Sequence, residues 1–297
     1  MNFLVIGHSV VDKIFDKRGI ETNPGGIFYS VISLLSQLEN KDNLFLCSAI
    51  DKSSEKLFED YYQQVNTNFV SEVDSIPRVE LVIDEIGERK ERYSQISQNL
   101  LVPIYSLSQF NGILINMITG YDISLDQLKQ IRNNFKGSIY FDVHTLSRGV
   151  DKNFSRNFRK IENFGEWASC INILQANESE ILTLSDQNDE KLIITELLSS
   201  GIEQVIITRA ERGATVYYRE DGVTKSIHKE ALRINIKNKI GCGDVFGAVY
   251  FYNYMKNKNL FLALERANLF AGIAATYTEI DEFLNLKIDA NKYISEK

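Results

Sequence analysis

The chain has 297 residues, 44% of them hydrophobic, enough for one large core and too apolar for disorder as the default state. A formal charge of −7 argues against a phosphate-backbone binder and leaves room only for a local basic groove. The three cysteines, Cys47, Cys170 and Cys242, lie too far apart for a disulfide framework or a metal knuckle, and no stretch is apolar enough for a bilayer, so a soluble protein of the reducing cytoplasm with no nucleic-acid or membrane partner is expected.

Short apolar, β-branched runs predict buried strands at 3–6, 44–49, 112–116, 138–142, 171–175 and 204–208. Helical periodicity falls between them at 27–38, 55–62 and 125–135, the last opened by a capping box from Ser124 to Gln127. This alternation predicts an α/β fold, a mostly parallel central sheet with helices on both faces. Two stretches break the rhythm. Residues 12–24 are polar with a brief apolar patch, and 79–95 read as two strands around the turn Asp84-Glu85-Ile86-Gly87. Paired as one small β sheet, they are expected to project as a lid, formed by about 13–24 and 78–100, from a single domain spanning 1–297. The exposed face of that lid offers a surface for a homodimer. After Thr208, residues 215–218, 225–229 and 232–236 predict antiparallel edge strands around the Asp221-Gly222 turn. Two long helices near 245–255 and 260–276 close the domain.

The segment richest in chemistry is Gly241-Cys242-Gly243-Asp244, directly before the apolar helical run 245–252. Glycines at a helix start allow a sharp turn and leave the first amides free, and those donors together with the helix dipole favour an anion such as phosphate. Asp244 then falls in the first turn. There it either caps the helix or takes a proton from a hydroxyl attacking the bound phosphoryl group, and the residues alone leave both readings open.

The string Asn238-Lys239-Ile240-Gly241-Cys242-Gly243-Asp244-Val245-Phe246 resembles the second signature of the ribokinase-like (PfkB) carbohydrate and nucleoside kinases, usually Asp-Thr-x-Gly-Ala-Gly-Asp-x-Phe. Both glycines, the acid and the phenylalanine match. The resemblance implies that Asp244 is the catalytic base and that Gly241, Cys242 and Gly243 form the anion nest. Asn238 and Lys239 stand where the family has Asp and Thr, and because the missing acid helps form a monovalent-cation site in relatives, this departure argues against potassium activation.

Other segments fall in the family's order. Gly25-Gly26 before an amphipathic helix resembles the first signature, with Ser30 where the family has Asn, and Asp12 stands where the family keeps an acid that accepts from substrate hydroxyls. The resemblance thus implies an acceptor site of Asp12, Gly25, Gly26 and Ser30. Asn177-Glu178-Ser179-Glu180 is similar to the Asn-x-x-Glu motif, implying that Asn177 and Glu180 hold Mg²⁺ through water from one face of a helix start. The run 205–214 resembles the family's Thr-x-Gly-x-x-Gly loop along the ATP phosphates, with Thr208 and Gly213 kept and Ala210 in place of the first glycine. Arg209 and Arg212 reach phosphates or are simply solvated. Asn268, in a small-residue helix, is the base-edge candidate for ATP. Arg148, after the strand ending at Asp142, either steadies an acidic group or forms a surface ion pair, and a lone His144 is assigned no role.

The resemblance, from Gly7 to Ala275, implies an ATP- and Mg²⁺-dependent phosphotransferase acting on a hydroxymethyl group of a small sugar-like or nucleoside molecule. The alternative is a catalytically degenerate binder of a sugar, nucleoside or nucleotide, motivated by Ser30, Ala210, Asn238 and Lys239. A dinucleotide-binding fold needs Gly-x-Gly-x-x-Gly after the first strand, where Gly7 stands alone.

Overall fold

The computed structural model describes all residues except 17–18, 84–88, 151–154 and 297. The expected Asp84-Glu85-Ile86-Gly87 turn lies outside the described residues. The chain opens with β1 (Asn2–Ile6), leaves the main layer through β2 (Ser9–Asp16) and β3 (Gly19–Gly26), and returns by α1 (Phe28–Gln37) to β4 (Asn43–Asp51). After α2 (Glu55–Tyr62) and β5 (Asn66–Val73) it leaves again for β6 (Arg78–Ile83) and β7 (Arg89–Gln95). Next come β8 (Gly112–Asn116), α3 (Leu125–Asn134), β9 (Ser138–Asp142), β10 (Arg148–Val150) and β11 (Arg156–Phe158). The remainder is α4 (Phe164–Ala168), β12 (Ile173–Asn177), α5 (Glu190–Ser199), β13 (Gln204–Thr208), β14 (Ala214–Glu220), β15 (Val223–Lys229), α6 (Cys242–Asn257), α7 (Leu260–Ala274) and α8 (Leu286–Ser295).

The main sheet has nine strands in the order β15-β14-β13-β12-β9-β8-β1-β4-β5. All pairings are parallel except those joining β13, β14 and β15 at one edge. β8 is buried at every one of its positions, so both sheet faces are covered, as an apolar parallel strand requires. Helices α1, α6, α7 and α8 pack together as one layer, while α3 packs on α4 and α5 lies against β13 and β14.

The two interrupting stretches do pair. β2 bonds antiparallel to β3 and parallel to β6, and β6 bonds antiparallel to β7, making a separate mixed sheet, the lid. A bridge from Ser155 to Arg92 docks the β10–β11 pair against the edge of that lid.

Three expectations are corrected. Residues 232–236 form no strand: Leu232 packs on Gly272 of α7, where an added Cβ would stand 2.7 Å from Leu232 Cβ, so α7 rather than a sheet neighbour covers the apolar side chain. Asn177 to Glu180 open only a short 3₁₀ turn over Ile181–Thr183, and α5 begins later, capped by Asp189. The closing helices are followed by α8, which packs on α1 and α7.

Candidate active site

Parallel strands open their C-terminal ends on one edge, the usual place for a site in such a sheet. The last residues of four neighbours there are polar: Asn116 on β8, Asp142 on β9, Asn177 on β12 and Thr208 on β13.

The start of α6 faces the same edge. Gly241, its N-cap, has φ +75°, and a Cβ there would come within 2.4 Å of the Tyr29 ring, so both conformation and space demand glycine. The Cys242 amide donates to Lys239 O at 3.4 Å, and among the described residues no backbone carbonyl accepts from the Gly243 amide. At Gly243 the nearest atom to an added Cβ is Gln175 Nε2, 4.0 Å away, which leaves room beside this turn. An amide exposed at the positive end of a 16-residue helix is a donor for an anion.

Asp244 lies in the first turn, buried, with Oδ1 accepting from Asn116 Nδ2 at 2.7 Å and lying 4.0 Å from His144 Nε2. It borders a cavity of about 130 Å³ whose walls include Asp12, Gly26, Tyr29, His144 and Arg156. Asp12 is buried on β2 with its carboxylate lying across Gly25, where an added Cβ would fall 2.1 Å from Oδ2. Gly26 takes φ +64°. Ser30 stands behind this wall: it is buried, accepts from Asn116 Nδ2 at 3.4 Å, and does not line the cavity. His144, assigned no role from sequence, borders the cavity at φ +32°, a conformation non-glycine residues adopt at some cost.

A second, larger cavity of about 860 Å³ lies on the other side of the α6 turn. Thr208, Gly213, Asn177, Cys242 and Asn268 line its polar part, and Leu232, Phe246, Ala271, Gly272 and Ala275 its apolar part. Gly213 has φ +88°, and a Cβ there would lie 2.0 Å from Lys229 O. Asn268 is buried and donates through Nδ2 to that same Lys229 oxygen at 3.1 Å, so its amide fixes the cavity wall. Ala210 adopts φ +48°, a left-handed conformation that glycine takes without steric cost. Arg209 is held by Glu178 and Glu190, and Arg212 by Glu178. Lys239 pairs with Glu211 at 2.6 Å and, with Gly243, borders both cavities.

Behind the turn lies a set of buried acids. Asn177 and Glu180 bond reciprocally: the Asn177 amide donates to Glu180 Oε2 and the Glu180 amide to Asn177 Oδ1, both at 2.9 Å. Burial pushes Glu180 up to about 7, against Arg148 at 3.7 Å. Burial and the neighbouring Glu180 and Asp244 push Asp142 well above the usual carboxylate range. Gln175 Nε2 ties Asp142 Oδ2, at 2.8 Å, to Gly243 O, at 3.1 Å. Among the described residues no three His, Cys, Asp or Glu side chains converge as a direct metal cage. Mutually repelling buried acids beside an anion nest instead fit a cation held through water and phosphate.

Sequence reasoning missed Asn116, Gln175 and Arg156. A polar residue ending or interrupting an apolar strand marks the first two, but no local signal marks Arg156.

Comparison with known proteins agrees with this geometry. Residues 144–285 match the model of the pfkB family carbohydrate kinases. A deoxyribokinase of Salmonella typhi is 27% identical over 128 residues, which cover 40% of this chain and only 38% of that protein's length. A ribokinase from Thermotoga maritima superposes with TM-score 0.78 at 17% identity over 99% of each chain. An E. coli protein described as a ribokinase II, in complex with ATP and Mg²⁺, superposes with TM-score 0.77 at 18% identity over 100% of this chain and 99% of its own. Among the described residues no helix is long and apolar enough to cross a membrane. Residues 144–285 thus carry the match to the pfkB carbohydrate kinases, and the chain has the ribokinase fold along its whole length.

Proposed function

We propose that the protein transfers the terminal phosphoryl group of ATP to a hydroxymethyl group of a small sugar-like or nucleoside acceptor. The observation that supports this is the shared wall: Lys239 and Gly243 border both cavities, with Asp244 on the smaller side and Cys242 on the larger. Donor and acceptor then meet across one helix N-terminus. The acceptor hydroxyl attacks the terminal phosphorus and gives its proton to Asp244, while the bond from that phosphorus to the bridging oxygen breaks and its electron pair leaves with ADP. The Gly243 amide and the α6 dipole stabilise the charge that grows on the transferring group. Asp12 accepts from acceptor hydroxyls, Thr208 and Gly213 line the donor phosphates, and the apolar wall by Ala271, Gly272 and Phe246 receives the base. Mg²⁺, when bound with the nucleotide, neutralises phosphate charge; Asn177 and Glu180 are the residues that would hold its waters. No disulfide joins Cys47, Cys170 and Cys242, which fits a reducing compartment. Exposed Ile20 and Val82 on the lid are the surface we propose for pairing two copies, a point that measurement of the mass in solution decides.

The test is ADP release over a panel of sugars, sugar acids, sugar phosphates and nucleosides, with pyrophosphate as a second donor arm. Asp244→Asn is expected to lower kcat by roughly 10²–10⁴-fold with acceptor binding kept. Equal turnover by both proteins removes Asp244 as the base. Tight acceptor binding with no turnover from either donor favours the degenerate binding protein, a reading to which Ala210 at φ +48° and Ser30 behind the cavity wall lend support.

A further inference from the structure

Arg156 is the feature of the smaller cavity that the chemistry above does not use. Its side chain is 7% exposed, and its guanidinium is placed by Tyr93, lying 4.4 Å from the ring centroid and donating through Nη2 to the phenolic oxygen at 2.5 Å. Nη1 donates to Glu91 of the lid. Glu91 is also approached by Arg148 at 3.8 Å, so one carboxylate faces two guanidinium groups. Among the described residues, neither Arg156 Nε nor Arg148 Nε has a hydrogen-bond partner, although both atoms are buried. The second acid near Arg148 is Glu180, already engaged by the Asn177 amide.

A buried cation short of hydrogen bonds is costly unless another anion completes its surroundings. Nε is sealed, but Arg156 borders the acceptor cavity, so an anion of the acceptor would meet the terminal N–H groups that Glu91 and Tyr93 leave over. Resting on the phosphotransferase reading, we propose that the acceptor carries a negative group beside its hydroxyls, held by Arg156. A planar carboxylate matches the guanidinium edge, and a cavity of about 130 Å³ suits one short polyhydroxy acid. A phosphate shares the chemistry, and the experiment separates the two. Asp12 serves the hydroxyl end of the same molecule, as a carboxylate accepts from hydroxyls and repels an acid.

The test compares matched acceptors differing only in the charged group: gluconate against glucitol for a carboxylate, and fructose 6-phosphate against fructose for a phosphate. Binding is read first, by calorimetry without nucleotide, and ADP release second. The charged member of at least one pair is expected to bind on the order of 10- to 100-fold tighter, as a charge-assisted bidentate contact implies. Arg156→Gln is expected to abolish that preference and leave the neutral acceptor within a few-fold. Glu91→Gln, which removes the competing carboxylate, is expected to strengthen it. These opposite signs keep the proposal testable if Arg156→Gln folds poorly. A charge preference without ADP release overturns the kinase reading and keeps this one. Turnover of neutral acceptors with no charge preference overturns this one and keeps the kinase reading. Parallel losses on charged and neutral acceptors in Arg156→Gln assign the arginine to structure alone and overturn the proposal.

Discussion

Replacing Glu180 by Gln tests whether the buried acids behind the α6 turn are kept at a cost that cation binding relieves. Burial raises the Glu180 carboxyl from 4.5 to about 7. Below pH 4.5 both the folded and the unfolded chain hold the proton. As pH climbs from there, the unfolded chain gives its proton up while the folded chain keeps it, so the stability from this group falls until the folded carboxyl also ionises near pH 7. The loss across that window is about 3 kcal/mol, at about 1.36 kcal/mol for each tenfold change in proton affinity. Asp142, raised for the same reason, adds to the slope in the same direction. Glu180→Gln keeps an acceptor for the Asn177 amide and removes the titration. Reversible urea unfolding at pH 5 and pH 8 is therefore expected to show a wild type that loses stability with pH and a variant that loses about 2.5 kcal/mol less, part of the loss having occurred below pH 5. Adding Mg²⁺ and nucleotide at pH 8 should restore the wild type more than the variant. Parallel pH profiles for the two proteins would refute the reasoning, because the slope would then arise elsewhere.

Asn116→Leu removes the donor that holds Asp244 Oδ1 at 2.7 Å while filling the same space; kcat is expected to fall roughly 10- to 100-fold, the worth of a hydrogen bond to a charged group, with a smaller change in acceptor KM measured in the same assay. Gly25→Ala places a methyl 2.1 Å from Asp12 Oδ2, so the carboxylate must move; acceptor KM is expected to rise while nucleotide KM holds, read from initial rates. Activity is expected to be the same in sodium, potassium and tetramethylammonium chloride, because Asn238 brings a neutral amide whose Oδ1 already accepts from the Ile240 amide at 2.9 Å; a several-fold potassium effect on initial rates would contradict this.

The buried half of the fold is legible because parallel strands covered on both faces are continuous apolar runs. β8, β9 and β13 begin and end at the residues the sequence indicates, since a polar residue stops each run at the open edge. β12 starts two residues later than its apolar run, at Ile173, where pairing with Tyr140 and Gln204 sets its register. Residues 232–236 carry an alternating pattern that reads as a strand, but alternation reports only that one side is covered. Here α7 meets Leu232, and the whole of 232–236 borders the larger cavity rather than a neighbouring strand. β5 and α8 carry too little apolar periodicity to stand out, being a half-exposed edge strand and a mixed surface helix.

Why the site is harder to read than its scaffold follows from where its parts come from. The glycines and Asp244 are contiguous, because a helix N-terminus needs only local chain to build an anion site. The rest is assembled by topology. Asn116 reaches Asp244 only because β8 lies beside β9 under the start of α6, and Gln175 reaches Gly243 only across β12. Arg156 reaches the small cavity only because β11 docks on the lid, and its preceding residue Ser155 pairs with Arg92. Each is a polar residue where local pattern calls for an apolar or exposed one. Local rules fail there because stability alone would remove these groups: a Gln inside an apolar strand and an acid pressed against other acids are retained at an energetic cost. The same positions are therefore where binding of a cation or an anion changes the energy of the fold most, and the pH dependence of Glu180 and the charge preference tied to Arg156 are two measurements of that one property.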